Sequence, residues 1–475
     1  MNFSKALTII LILVFTLTAC GTAPVKEQSE SSAESTSATT VPSLTTSFPD
    51  AVEIRLSDEL ITVGGEAADT DKESAVYTAN DIVYYEAGKD FTYGEGTEKD
   101  AHTAEEAEKH TVVHITKAGK YSLTGKLSHG QIAVDLGEEA KSNPDAVVTL
   151  ILNGADITCE VAPAVIFYNV YECGNTDTEK AAKDVDTSAS GANVIIADGT
   201  VNTVNGSYVE RIYKPDSVVL NEDKTEVADA KKLHKYDAAF YSKMSMNVNG
   251  GEKNSGVLNI NAENEGLDSE LHLTINGGNI NILSGNDGIN TNEDGVSVTT
   301  INGGSLKIKV TGQTGEGDGI DSNGWLVING GTVIAEACSD SADAGIDSDM
   351  GIHINGGTVI ASGNMLDRIE QGGQNYIQFN IQKSTSTDND TLYLKDEQEN
   401  AVAEFEIKNA FSTLIFSSPD LNDSSAYTLW NNDGPLAVQG SGMDHGGMPP
   451  GGMRPEGGPP EGMHDFGERP PEPPM

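Results

Sequence analysis

The chain has 475 residues, 37% of them hydrophobic, and a formal net charge of −44 from 73 acidic and 29 basic side chains. That charge sets it against nucleic acid, whose phosphates it repels, and implies heavy hydration or many bound cations. Of four cysteines, Cys20 belongs to the N-terminal motif described next. The odd remainder gives no disulfide framework, although Cys159 and Cys173 are a candidate pair and Cys338 reads as a small core residue.

The N-terminus opens Met-Asn-Phe-Ser-Lys and runs into an apolar stretch over residues 6–17. A positive start, a short apolar core and small residues before a cut define a secretory signal, and the stretch is too short for a comfortable transmembrane helix. Leu17-Thr18-Ala19-Cys20 resembles a bacterial lipobox. The resemblance implies a signal peptide at 1–19, diacylation of Cys20, and a protein on the extracellular face of the cell membrane, held by a lipid anchor. Residues 20–50 are rich in Ser, Thr, Ala and Glu and read as a disordered tether, because they lack the large apolar groups that offset ordering entropy. Residues 440–475 hold nine of the 17 prolines and read as a disordered Pro/Gly/Met-rich tail.

Between these ends one phrase recurs: Val248-Asn249-Gly250-Gly251, then Ile-Asn-Gly-Gly beginning at Ile275, Ile301, Ile328 and Ile354. Successive asparagines lie 27, 26, 27 and 26 residues apart. Each phrase sits between short alternating runs, such as Trp325-Leu326-Val327-Ile328 and Thr332-Val333-Ile334-Ala335. Alternation with β-branched residues reads as strands, and Asn-Gly-Gly as a bend needing positive φ. No proline interrupts 244–363, so every strand can donate its ladder bonds. A coil of three short strands and three turns takes roughly two dozen residues, which predicts an all-β parallel solenoid with coils about 4.8 Å apart. Stacking then makes Asn249, Asn276, Asn302, Asn329 and Asn355 an amide ladder, and Ile275, Ile301, Ile328 and Ile354 a dry column.

A second phrase recurs as Gly266-Leu267-Asp268-Ser269, Gly288-Ile289-Asn290-Thr291, Gly319-Ile320-Asp321-Ser322 and Gly345-Ile346-Asp347-Ser348. Asp268, Asp321 and Asp347 each precede a repeat asparagine by eight residues; for Asn290 the interval is 12, which places a four-residue bulge within 292–296. The Leu or Ile points inward and the next residue outward. A further acid precedes each phrase: Glu265, Asp287, Asp318 and Asp343. Two carboxylates 5 Å apart repel by about 3 kcal/mol at an effective dielectric near 20. Residues 265–349 hold 14 acids against two basic residues, Lys307 and Lys309, so the column must be protonated, splayed or neutralised by cations. Hard oxygen donors in flexible geometry suit calcium, which takes about six to eight of them. The expected metal set is therefore Glu265, Asp268, Asp287, Asn290, Asp318, Asp321, Asp343 and Asp347.

Over residues 80–440 the chain resembles a calcium-dependent carbohydrate-binding β-helix family of clostridial-type surface lipoproteins. The resemblance rests on Ile115-Thr116-Lys117-Ala118-Gly119-Lys120-Tyr121, Val148-Thr149-Leu150-Ile151-Leu152-Asn153-Gly154-Ala155-Asp156-Ile157, Asp237-Ala238-Ala239-Phe240-Tyr241-Ser242-Lys243 and Ser417-Ser418-Pro419-Asp420-Leu421. It implies a right-handed single-stranded parallel β-helix with polysaccharide-lyase-like architecture, bound calcium, and affinity for pectic or cellulosic polysaccharide. Asn290-Thr291 departs from the Asp-Ser of the other repeats, and long polar insertions blur the register within 170–232. The expected domains are a carbohydrate-binding β-helix at 80–363, regular over 244–363, and a small β cap at 364–435.

Three functions are in play. A binder of neutral glucan needs an aromatic platform, for which Trp325, at outward parity, is the candidate. A calcium-dependent polysaccharide lyase needs an Arg or Lys base close to the metal, yet 244–363 has no arginine and only Lys253, Lys307 and Lys309. A structural adhesin needs neither. The reading taken is a monomeric, non-enzymatic binder of polysaccharide with calcium as its cofactor.

Overall fold

The computed structural model describes residues 47–381, 391–422 and 424–439. The signal sequence, Cys20 and most of the expected tether lie outside the described residues, as do Gly440 and the tail after it. The described chain is nearly all β, with one single-turn helix, Ala104–Ala107, two short 3-10 turns and no closed barrel. Among the described residues no helix is long and apolar enough to cross a membrane.

The strands follow from alternation. In Ser305–Val310, Leu306, Ile308 and Val310 are buried while Lys307 and Lys309 point out. Such strands pair in parallel with their equivalents in the next repeat. One ladder joins His272–Ile275, Val298–Ile301, Trp325–Ile328 and Gly351–Ile354, with Ile275, Ile301, Ile328 and Ile354 opposite one another. A second joins Val257–Ala262, Asn279–Ser284, Ser305–Val310, Thr332–Glu336 and Thr358–Gly363. A third runs through Thr111–Ile115, Gly130–Asp135, Val165–Asn169, Ala238–Ser242, Glu265–Ser269 and Ile289–Thr291. Their inward faces make one apolar core from Ile54 to Ile415.

The bends between the first two ladders carry the repeated asparagines. Asn276 Nδ2 donates to Asn249 Oδ1 at 2.9 Å, Asn302 to Asn276 at 2.8 Å, Asn329 to Asn302 at 2.9 Å and Asn355 to Asn329 at 2.8 Å. The second glycine of the last four phrases has φ near +90°: +95° at Gly278, +86° at Gly304, +85° at Gly331 and +86° at Gly357. A Cβ on Gly304 would lie 2.5 Å from the carbonyl oxygen of Gly278, so both conformation and space call for glycine.

Several boundaries differ from expectation. The parallel stack starts before residue 80: Val52–Leu56 pairs in parallel with Gly119–Leu127, its Ile54 and Leu56 buried. Within 170–232 the ladders are interrupted rather than blurred, because Ala192–Ile196 and Val201–Gly206 continue them in register. The polar insertions lie on either side. Cys159 and Cys173 are unpaired, as is buried Cys338. After Gly363 the pattern turns antiparallel. Thr413–Ser417 lies against both Thr358–Gly363 and Tyr376–Asn380, covering the exposed edge of the last parallel strand. A separate four-stranded sheet supplies Leu394 and Leu429 to a second core shared with Phe379 and Phe416 of the large sheet.

Candidate functional site

The third ladder carries the acidic residues. Asp268 lies opposite Tyr241 on one side and Asn290 on the other. The Ile289–Ile320 bridge sets Asp321 beside Asn290, and the Asp347 N–H donates to the Ile320 carbonyl at 2.7 Å. Leu267, Ile289, Ile320 and Ile346 are fully buried beneath, so the residues that follow them emerge along one line.

Carboxylate oxygens of Asp318, Asp321 and Asp347 converge to within 4.8 Å of one another, all three residues half-buried. Burial, with neighbouring carboxylates adding to it, pushes Asp318 up to about 8 and Asp321 up to about 6. Asp347 is raised too, by burial and then by Asp367 and Asp321. One step along, Asn290 Nδ2 donates to Glu265 Oε1 at 3.1 Å. Glu265 Oε2 and Asn290 Oδ1 are buried with no hydrogen-bond partner, an arrangement that costs free energy unless something supplies positive charge. Burial also raises Glu265, Asp268 and Asp287.

The remaining expected ligands are used within the protein. Asp287 Oδ1 accepts the Asp318 N–H at 2.7 Å, and Asp318 Oδ1 the Ala344 N–H at 2.5 Å. Both oxygens of fully buried Asp268 accept Asn292 Nδ2, at 2.9 and 3.0 Å, which sets it apart from the convergent three. Asp343 sits one residue out of the second acidic column. The Gly319 N–H donates to the Ala344 carbonyl, so apolar Ala344 takes that position, and Asp343 Oδ2 accepts the Gly317 N–H at 2.6 Å.

Sequence reasoning missed three participants. Asp367, whose Oδ2 accepts the Ser348 N–H at 3.2 Å, raises Asp347, and Asp349 raises Asp321; Asp367 follows the last repeat and carries no period to flag it. Lys235, from the insertion before the regular repeats, bonds Asp237 at 2.9 Å. It lies outside the 244–363 range in which the sequence reading sought a basic residue. Burial pushes Lys235 down, but Asp237, Glu265 and Glu210 outweigh it and hold the ammonium charged. Trp325 is half-buried, its strand paired at Val298 and Gly351. A further convergent set, His110, His129 and Glu160, has an internal explanation. His110 Nδ1 donates to the Glu106 carbonyl at 2.9 Å, and its Nε2 accepts the Glu160 N–H at 3.2 Å.

The three convergent carboxylates and the orphaned oxygens of Glu265 and Asn290 are hard donors with no sulfur or imidazole among them. They fit an oxygen-seeking divalent cation better than zinc. Fold and site together define a repeat-built all-β protein with a cation-ready acidic face. The chain belongs to the carbohydrate-binding domain-containing protein family, whose model matches residues 109–408. A carbohydrate-binding domain-containing protein of Acetivibrio thermocellus (strain ATCC 27405) is 30% identical over 171 residues, or 36% of this chain and 44% of that protein. The chain thus matches less than half of that relative's length. A solved polysaccharide lyase-like protein from C. thermocellum, a gadolinium derivative, superposes with a TM-score of 0.37 at 17% identity, over 68% of this chain and 98% of that one.

Proposed function

We propose that this is an extracellular carbohydrate-binding protein, lipid-anchored through Cys20, that binds plant cell-wall-type polysaccharide and uses calcium on its acidic face. Family membership over residues 109–408 is the observation that carries carbohydrate binding. The three parallel ladders support a right-handed single-stranded parallel β-helix as the scaffold. Asp318, Asp321 and Asp347 would hold one calcium, and Glu265 with Asn290 a second. Calcium there would neutralise the crowded carboxylates, and would bridge to uronate groups only if the ligand were pectic.

The protein works as a binder. Elimination at a uronate needs an unprotonated base beside the metal, whereas Lys235, the lysine that reaches this acidic set, is held charged by Asp237. The test is retention of the full chain on insoluble cellulose and on calcium-pectate gel, with calcium and with a chelator. Retention on at least one polysaccharide is the expected result. Failure on both with calcium present, or unsaturated ultraviolet-absorbing products from polygalacturonate, would overturn the reading.

A further inference from the structure

A different face carries a groove of about 550 Å³. Its floor is the outward side of the repeats. Asn247, Thr274 and Thr300 stand opposite one another in successive strands, and the amide column Asn276, Asn302 and Asn329 runs beside them. Its wall is the 183–188 loop. This loop belongs to the 22 residues without strand or helix between Val165–Asn169 and Ala192–Ile196. Segments of that length in a compact fold usually serve a function. The loop is pinned where it meets the floor: the Thr187 hydroxyl lies 2.7 Å from both Asn247 Oδ1 and the Thr274 hydroxyl, and Asn247 Nδ2 donates to the Thr187 carbonyl at 2.7 Å.

The chemistry of the floor contrasts with the rest of the chain. The molecule carries a net charge of −44, yet no ionisable side chain lines this floor; on the wall Lys183 is paired with Asp184 at 2.7 Å, and Asp186 adds one exposed carboxylate. Each internal amide of the column spends one N–H and one lone pair on its neighbours. An amide has two N–H donors and two lone pairs, so a donor and an acceptor remain per repeat, in a row spaced about 4.8 Å. Val327, nearly covered, lines the groove, and half-buried Trp325 lies outside the lining, two residues earlier on the same strand face. Alternating donors and acceptors beside apolar surface match a polymer bearing hydroxyls along its edges and C–H groups on its ring faces. A polyuronate would find no fixed positive row there.

We infer that this groove is the polysaccharide site, and that it holds one chain of neutral, hydroxyl-rich polysaccharide along the amide column beside the 183–188 loop. The inference rests on the carbohydrate-binding reading and assigns its location and ligand class.

The test uses the full chain, wild type and Thr300→Arg, with amorphous cellulose, insoluble xylan and calcium-pectate gel. Thr300 lies on the groove floor, and no ladder amide depends on it. The expected result is that wild type binds a neutral polymer and Thr300→Arg binds it at least tenfold more weakly with an unchanged melting temperature. Should that variant melt lower, Val185→Arg on the loop obstructs the same space without touching a strand, and the same tenfold loss is expected. Equal binding by wild type and the folded obstructed variant would overturn the groove while leaving the carbohydrate reading intact. So would binding to pectate alone. Wild-type binding to none of the three would overturn both.

Discussion

Two columns climb the same repeats at the same spacing and end in opposite states. The amide column closes on itself, because each asparagine both donates and accepts and the next coil completes it. The acidic column cannot close, because a carboxylate only accepts. It recruits backbone N–H groups at Asp287 and Asp318, and it still leaves Glu265 Oε2 and Asn290 Oδ1 unpartnered. Stacking identical residues is thus self-satisfying for one side chain and demands an outside partner for another. This difference is why the proposed cation belongs on one face and not on the other.

The comparison breaks most directly by removing divalent cations. A cation at 1,000 times its Kd adds about 4 kcal/mol to stability, which is about 5 °C in melting temperature for a domain of this size. Chelation at pH 8 is therefore expected to lower the melt by about 5 °C, calcium to restore it, and Asp321→Ala to abolish most of the difference. Coincident melts of the wild type with calcium and with chelator would remove the cation from the acidic face.

Proton competition sharpens the same contrast. With Asp318 raised to about 8 and Asp321 to about 6 from an ordinary 3.8, the folded state binds protons that the unfolded chain releases. In the metal-free protein this stability is fully present below about pH 4 and is lost as pH rises toward 8. Calcium must displace those protons, so its affinity runs the other way. Titration calorimetry is expected to give binding at least about 100-fold weaker at pH 5 than at pH 8. An affinity flat across that range would mean that these carboxyls are not the ligands.

How much of this was legible beforehand depended on periodicity. The amide and isoleucine columns and the line from Asp268 to Asp347 announced themselves because each repeats with its coil. Asp343 was misplaced although the spacing shows it: Glu265, Asp287 and Asp318 stand one residue before their glycines and Asp343 two before Gly345, so Ala344 holds the register with Gly319. Lys235 and Asp367 lie outside the regular repeats, where spacing carries no information, and only the folded chain brings them to the column. The strand Val52–Leu56 was missed because a five-residue alternation next to a polar linker is too short to stand out. The groove wall was invisible for a related reason: nothing in 183–188 repeats, and its place is set by one threonine meeting two residues of distant strands.

The neutral face is expected to respond far less, and without regard to metal. Asn329→Ala deletes two exposed ladder bonds, from Asn329 to Asn302 and from Asn355 to Asn329. Water can take over the groups left behind, so the cost is about 1–2 kcal/mol. Chemical denaturation should show that loss equally with calcium and with chelator; a loss confined to the calcium-bound protein would mean that the two columns are coupled.

Thr187→Ala should have the smallest global effect and the most local one. It removes the hydroxyl between Asn247 and Thr274 but leaves every parallel ladder intact. The loop it pins opens independently of the core, as segments with few buried apolar contacts do. Losing about 1.4 kcal/mol of local contact raises the open population about tenfold. Amide exchange in 183–188 is therefore expected to quicken about tenfold, with the melting temperature within about 1 °C of wild type. Faster exchange spreading into Val298–Ile301 and Trp325–Ile328 would mean instead that the loop is part of the scaffold, and that the neutral face needs a covering as much as the acidic face needs a cation.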